Sequence, residues 1–264
     1  MNRITVEKWV DAWQAQGKYT FLRADAIDGS KLSPEAVKKA LQRLDKRGRV
    51  AKAKDYFYVI VPLEYASAGG PPASWFVDDL MAAMKLPYYV GLLSAAALHG
   101  ASHQQPQESQ VVTDRSVRLV TVGRARIHFF ASKFISKAAV VSLKTPTGSM
   151  RVSSPETTVV DLVRFANSAG YLDNVATVIA ELSPSLDPKK LLAAVRLVND
   201  VPSAQRLGYI LDHVRAKHLG AAIHKWAERQ SPRPVSLHKS RPVHDASENR
   251  RWHVLVNQPL EVEV

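Results

Sequence analysis

The sequence contains no cysteine. That absence removes disulfide frameworks, Cys-ligated zinc, iron–sulfur clusters and thiol catalysis together, and it suits a reducing compartment. Long apolar runs are missing too. The longest, around Val90 to Leu98, falls far short of the roughly 20 residues that span a bilayer. The opening residues MNRITVEKW hold no apolar leader segment, so a cytoplasmic protein with no membrane partner is expected. Phosphate-cradling loops of the GxxxxGK[ST] or GxGxxG type do not occur, and neither does the GxSxG turn of a serine nucleophile.

What is present is a chain of 264 residues, 46% hydrophobic, with a mean hydropathy of −0.15. This is enough for folded cores and for two modest domains. Positive charge is its strongest feature, at net +12 and pI near 9.9. Residues 1–61 hold 13 Lys/Arg against 7 Asp/Glu, while residues 62–214 hold 14 against 12. Residues 215–251 hold 9 against 3. The excess therefore sits at the two ends of the chain, a partition that a uniform solubilising surface would not produce and that points to a polyanionic partner.

The segment SAGGPPAS, residues 67–74, has linker composition and marks a domain boundary. Before it, the spacing of Val6, Trp9, Val10 and Trp13 predicts a helix over 5–16. A second short helix is expected over 22–27, with Asp28-Gly29-Ser30 as a turn. Ser33-Pro34-Glu35 is a helix start: a capping serine, a proline tolerated in the first turn and a carboxylate near the positive helix end. Val37, Ala40, Leu41 and Leu44 then form one apolar stripe, with Lys38, Lys39, Gln42, Arg43 and Lys46 elsewhere on the cylinder. A hairpin over 49–53 and 56–61, turning at Lys54-Asp55, follows.

This order of three helices and a hairpin predicts a winged helix-turn-helix over residues 1–62. The third helix would lie in the major groove of double-stranded DNA, and the hairpin would track the adjacent backbone. The expected DNA-binding residues are Ser33, Lys38, Lys39, Gln42, Arg43, Lys46, Arg47, Arg49, Lys52 and Lys54.

Residues 75–264 read as a second, α+β domain. Helices are expected over 75–84 and 90–99, and strands over 110–113, 117–122, 127–131, 140–143 and 150–152. Helix starts follow at Ser154-Pro155-Glu156, Asp187-Pro188-Lys189 and Ser203-Ala204-Gln205. From about 216 the domain carries a basic extension. Its stretch SPRPVSLHKSRPVHD reads as extended or mobile before a last strand over 252–256.

Candidates for chemistry are sparse. His99 and His103 are four apart, but no Glu follows His99 as a zinc hydrolase would need, and Gly100 ends the helix. Asp78, Asp79, Asp114, Glu156 and Asp161 are too dispersed to suggest a metal-dependent nuclease. No catalytic, metal-binding or cofactor-binding residue is assigned, and an enzyme is not expected.

Several segments together resemble the AbiEi family of antitoxins, the regulator half of abortive-infection type IV toxin–antitoxin pairs. They are LDKRGRVAKAKDYFYVIVP, YYVGLLSAAALHGA followed by QVVTD, SSPETTVVDLV and the late QRLGYILDHV. The resemblance implies a DNA-binding head that represses its own operon and a C-terminal domain opposing a cognate, nucleotidyltransferase-like toxin. The partners it implies are operator DNA and that toxin, with self-association on DNA a further expectation. The alternative is a stand-alone winged-helix transcription factor whose second domain senses a ligand or another protein.

Overall fold

The computed structural model describes residues 3–101, 107–244 and 246–262, and these gather into two compact units. The first comprises residues 1–89, 107–133 and 142–151; the second comprises 90–106, 134–141 and 152–264.

The first unit begins with α1 (Val6–Gln14), capped by Thr5, whose hydroxyl accepts from the Lys8 amide at 3.3 Å. Strand β1 (Thr20–Leu22) leads into α2 (Arg23–Ser30) and α3 (Pro34–Lys46). The expected turn at Asp28-Gly29-Ser30 is instead the last turn of α2. Helix is retained through Gly29 because a side chain there would run into the Trp9 indole, so the glycine permits the approach of α1. Ser33 caps α3 by accepting from the Ala36 amide at 3.3 Å. Beyond α3, Gly48 at φ +70° redirects the chain.

Strands β2 (Val50–Lys54) and β3 (Phe57–Ile60) form an antiparallel hairpin, and β1 pairs antiparallel with β3, giving the order β1-β3-β2. Every residue of the central β3 is buried. Lys54 pairs with Phe57 after a register irregularity, so Asp55 and Tyr56 form the turn, one residue later than expected. Val10, Phe21, Val37, Leu41, Leu44 and Ile60 share one core beneath the three helices.

Residues 67–74 are packed. Single 3-10 segments cover Leu63–Ala68 and Ala73–Trp75, and Gly70, Pro71 and Ala73 are buried. The Ala68 carbonyl accepts from the Arg124 amide at 2.8 Å. A Cβ on Gly69 would stand 3.1 Å from the Gly123 Cα, so glycine there lets two backbones approach.

Helix α4 (Val77–Ala83) is shorter than the expected 75–84 because Trp75 belongs to the 3-10 turn. The expected helix over 90–99 is divided: Tyr88–Val90 is a strand, β4, and α5 runs only over Leu92–Leu98. Two tyrosines and a valine suit a pleated surface better than a helix. With β5 (Ser109–Thr113), β6 (Val120–Val122), β7 (Ala125–Ala131), β8 (Val140–Thr145) and β9 (Gly148–Ser153), β4 completes a six-stranded sheet in the order β6-β7-β5-β4-β9-β8.

The second unit contains α5 and is otherwise built mainly from α6 (Pro155–Arg164), α7 (Tyr171–Leu182), α8 (Pro188–Val198), α9 (Val201–His213) and α10 (Lys217–Glu228). Helix α6 is buried from Glu156 through Val163 and packs against α5, α7, α8 and α9. Its polar residues Glu156, Thr157, Thr158 and Asp161 are buried along with the apolar ones, so here polar side chains at helical spacing do not mark a solvent face. The predicted start of α8 at Asp187 holds, with the carboxylate accepting from the Lys189 and Lys190 amides. That of α9 is displaced: Asp200, not Ser203, is the cap.

The basic extension is extended over much of SPRPVSLHKSRPVHD, and the last strand expected over 252–256 begins at Val254. Strands β10 (Val235–Ser236), β11 (Ser247–Asn249) and β12 (Val254–Val256) form a sheet in the order β10-β12-β11. Composition suggested mobility because its apolar residues are few. Leu237, Trp252 and Val254 are nevertheless buried, while Val243 is exposed.

Candidate nucleic-acid interface and buried polar frame

The amphipathic pattern of α3 places Val37, Leu41 and Leu44 in the core and so turns Lys38, Lys39, Gln42, Arg43 and Lys46 outward. All five are exposed and make no side-chain hydrogen bond or ion pair with other described residues. Ser33 is exposed at the helix start, with its hydroxyl engaged as the cap. This row offers four cations and one amide in contiguous turns, with only Asp45 as a neighbouring carboxylate on the same segment. Asp45 is partly occupied, since its Oδ1 accepts from the Lys52 amide at 3.2 Å and fixes the hairpin to the helix.

The remaining predicted residues are less uniform. Lys52 pairs with Asp55 at 3.2 Å, which raises its pKa and keeps the ammonium charged. Both groups are well exposed, so the pair is easily exchanged for another anion. Lys54 stands beside the turn, half-buried. Arg47 faces Glu7 at 3.8 Å, an exposed and weak pairing. Arg49 differs from the rest: its Nη2 donates to Asp11 Oδ1 at 2.7 Å and to Gln14 Oε1 at 2.6 Å. It straps α1 to the start of the hairpin, and sequence pattern alone did not reveal that commitment.

The dispersed carboxylates each have a structural partner. The Tyr88 hydroxyl donates to Asp78 at 2.7 Å, the Thr20 hydroxyl donates to Asp79, and Asp114 pairs with Arg115 at 2.8 Å. Glu156 accepts from the Asp187 amide at 3.2 Å, and Asp161 pairs with Arg164 at 2.8 Å. Among the described residues no group of three or more His, Asp or Glu could hold a metal ion. His99 lies with its Nε2 2.7 Å from the Ser153 carbonyl oxygen; His103 is outside the described residues.

In SSPETTVVDLV the polar residues hold α6 in place. Ser154 accepts from the Thr157 amide at 3.2 Å, and Ser153 Oγ lies 2.7 Å from Thr158 Oγ1, which donates to the Ser154 carbonyl at 2.9 Å. Replacing Ser154 by Ala removes the cap and should lower stability by about 1 kcal/mol. Urea unfolding of the variant measures that loss. A drop of several kcal/mol would show that the hydroxyl does more than cap.

QRLGYILDHV is a clamp that the sequence did not disclose. Gln205 Nε2 donates to the carbonyls of Arg233, Trp252 and His253 at 2.9, 3.0 and 3.2 Å. Arg206 Nε donates to those of Ser236 and Leu237 at 3.0 and 3.2 Å. Burial pushes the Arg206 pKa down, with Asp200 opposing the shift. Asp212 accepts from Trp252 Nε1 at 2.8 Å, and the Trp252 indole lies against Gly208 and Gly220. A mid-helix glycine at position 208, costly on propensity alone, was the available signal.

Residues 89–213 match the family model of the AbiEi antitoxin C-terminal domain. The clamp residues lie inside the matched segment, and the sheet they hold lies beyond it. No curated protein matches the chain. The crystal structure of the RV2827C protein from Mycobacterium tuberculosis is similar over 96% of this chain and 92% of that one, with a TM-score of 0.70 at 13% identity, a likeness of fold. The solution structure of the antibiotic-resistance factor ANT(2'')-Ia aligns over 59% of this chain and 91% of that one at 13% identity, but its TM-score of 0.27 carries no argument. Among the described residues no helix is long and apolar enough to cross a membrane.

Proposed function

We propose that this chain is the antitoxin of a type IV toxin–antitoxin pair, a cytoplasmic protein that represses its own operon and opposes a nucleotidyltransferase-like toxin. The AbiEi antitoxin domain over residues 89–213 carries the reading. In it, residues 1–62 act as a winged helix-turn-helix, with α3 as the recognition helix and the β2–β3 hairpin as the wing. Lys38, Lys39, Gln42, Arg43 and Lys46 contact bases and phosphates, with Lys52 and Lys54 on the flanking backbone and Ser33 and Arg47 at the two ends of α3. Arg49 positions the hairpin through Asp11 and Gln14 rather than touching DNA itself. Support comes from the unpartnered cationic row on α3 and from the near-neutral balance of residues 62–214, which leaves the two basic ends of the chain, the N-terminal segment among them, as the electrostatic attractors for phosphate.

A promoter-reporter assay tests the repressor half. The full chain should lower expression from the sequence upstream of its own reading frame, and the Lys39→Ala/Arg43→Ala variant should restore it. A reporter indifferent to the chain would overturn that half.

A further inference from the structure

A cavity of about 220 Å³ opens within the second unit, between the C-terminal end of α6, the turn into α7 and the residues that follow β10. Its lining includes Arg164, Arg206, His238, Lys239 and Tyr171, and none of its lining residues is Asp or Glu. The charges are unequally satisfied. Arg164 has Asp161 at 2.8 Å. Arg206 is 5% exposed, yet its hydrogen bonds go to the carbonyls of Pro202, Ser236 and Leu237 and it makes no ion pair with the described residues. Lys239 is exposed and has no partner among the described residues. A buried guanidinium whose neighbouring carboxylate, Asp200, makes no direct ion pair with it is costly and favours an added anion.

His238 adds an independent observation. It is 8% exposed, and its Nε2 is buried with no hydrogen-bond partner. The Gln258 backbone beside the ring favours its charged form. Burial holds the pKa below its ordinary value, with Arg241 and Arg206 adding to the depression and Asp173 opposing it. In the neutral imidazole that burial favours, one ring nitrogen carries a lone pair, and Nε2 is the one left without a partner among the described residues. A fitting ligand needs anionic oxygens for Arg206 and Lys239 and an acidic O–H for Nε2. Hydrogen phosphate and the monoanion of a phosphate monoester, whose second pKa is near 6, carry both; sulfate carries only the oxygens.

We propose that this cavity binds a phosphate that keeps one O–H, either free hydrogen phosphate or the monoprotonated phosphate of a mononucleotide. Tyr171 sits at its rim, 61% exposed and at φ +66°, a backbone conformation unusual for a bulky residue. Its ring offers a surface on which a nucleobase would stack. Occupation would fasten the residues after β10 to α6 and α7 and raise the stability of the chain by mass action.

Isothermal titration calorimetry on the full chain in phosphate-free buffer, with inorganic phosphate, sulfate, AMP and adenosine, tests the site. Saturable binding of phosphate is expected, with sulfate weaker by about tenfold or more and adenosine silent. Lys239→Ala, a surface change, should weaken phosphate by about fivefold or more without shifting the melting temperature of the unliganded chain, and His238→Gln should bring phosphate down to the level of sulfate. AMP tighter than phosphate, with the gain lost in Tyr171→Ala, identifies a mononucleotide as the source; equal affinities identify the free ion. No saturation by about 20 mM phosphate, or phosphate binding unchanged in Lys239→Ala, overturns the site. Sulfate binding as tightly as phosphate overturns the role of His238.

Discussion

Replacing Trp252 by Ala should destabilise the second unit by about 3–5 kcal/mol, the usual cost of removing a large aromatic side chain from a core. The indole is 1% exposed, and its Nε1 donates to Asp212 at 2.8 Å, so truncation leaves both a cavity and a carboxylate without that donor. Arg251 remains 3.4 Å from the same carboxylate and recovers part of the loss. Gly208→Ala attacks the same contact from the other side. A Cβ at 208 would fall within the indole ring, and overpacking of this kind costs about 1–3 kcal/mol. Differential scanning calorimetry of both variants distinguishes the docked extension from a loose one. A change below about 1 kcal/mol in each would mean that β10, β11 and β12 are not held by α9.

The second large effect concerns DNA. Alanine at both Lys39 and Arg43 should weaken binding to the chain's own promoter by at least tenfold and lower the salt slope, d log K/d log [salt], by about 1.8 if each side chain neutralises one phosphate. Both residues are exposed and unpartnered, so their removal costs the fold little, and circular dichroism should show the same melting curve. A gel-shift series over salt measures affinity and slope together. Unchanged values for both would remove α3 from the interface.

The local pattern of the N-terminal segment was well expressed in its sequence. Ser33-Pro34, the apolar stripe on α3 and the hairpin are decided by capping, helical period and strand pairing within a short span, and these are the rules a sequence displays most directly. The helix expected over 90–99 starts only at Leu92, because Tyr88 and Tyr89 commit the residues before it to a sheet whose other strands lie far along the chain, and no local signal carries that pairing. The stretch SPRPVSLHKSRPVHD reads as extended or mobile for a related reason. Its Pro, Arg and His content suggests disorder, and only the distant Gln205, Arg206 and Asp212 explain how its backbone carbonyls and Trp252 are satisfied. Arg49 shows the limit for charged residues: a cation near a reading helix has the same spelling whether it faces solvent or bridges Asp11 and Gln14.

The antitoxin reading depends on whether the domain over 89–213 protects a cell. The most direct measurement is growth on co-expression of the full chain with the protein encoded by the neighbouring reading frame. That protein alone should arrest growth, and the chain should restore it. The Lys39→Ala/Arg43→Ala variant should restore it equally when both genes are driven from unrelated promoters, because repression is then irrelevant. A neighbour that is harmless alone, or one that stays lethal beside stable, well-expressed chain, would contradict the account.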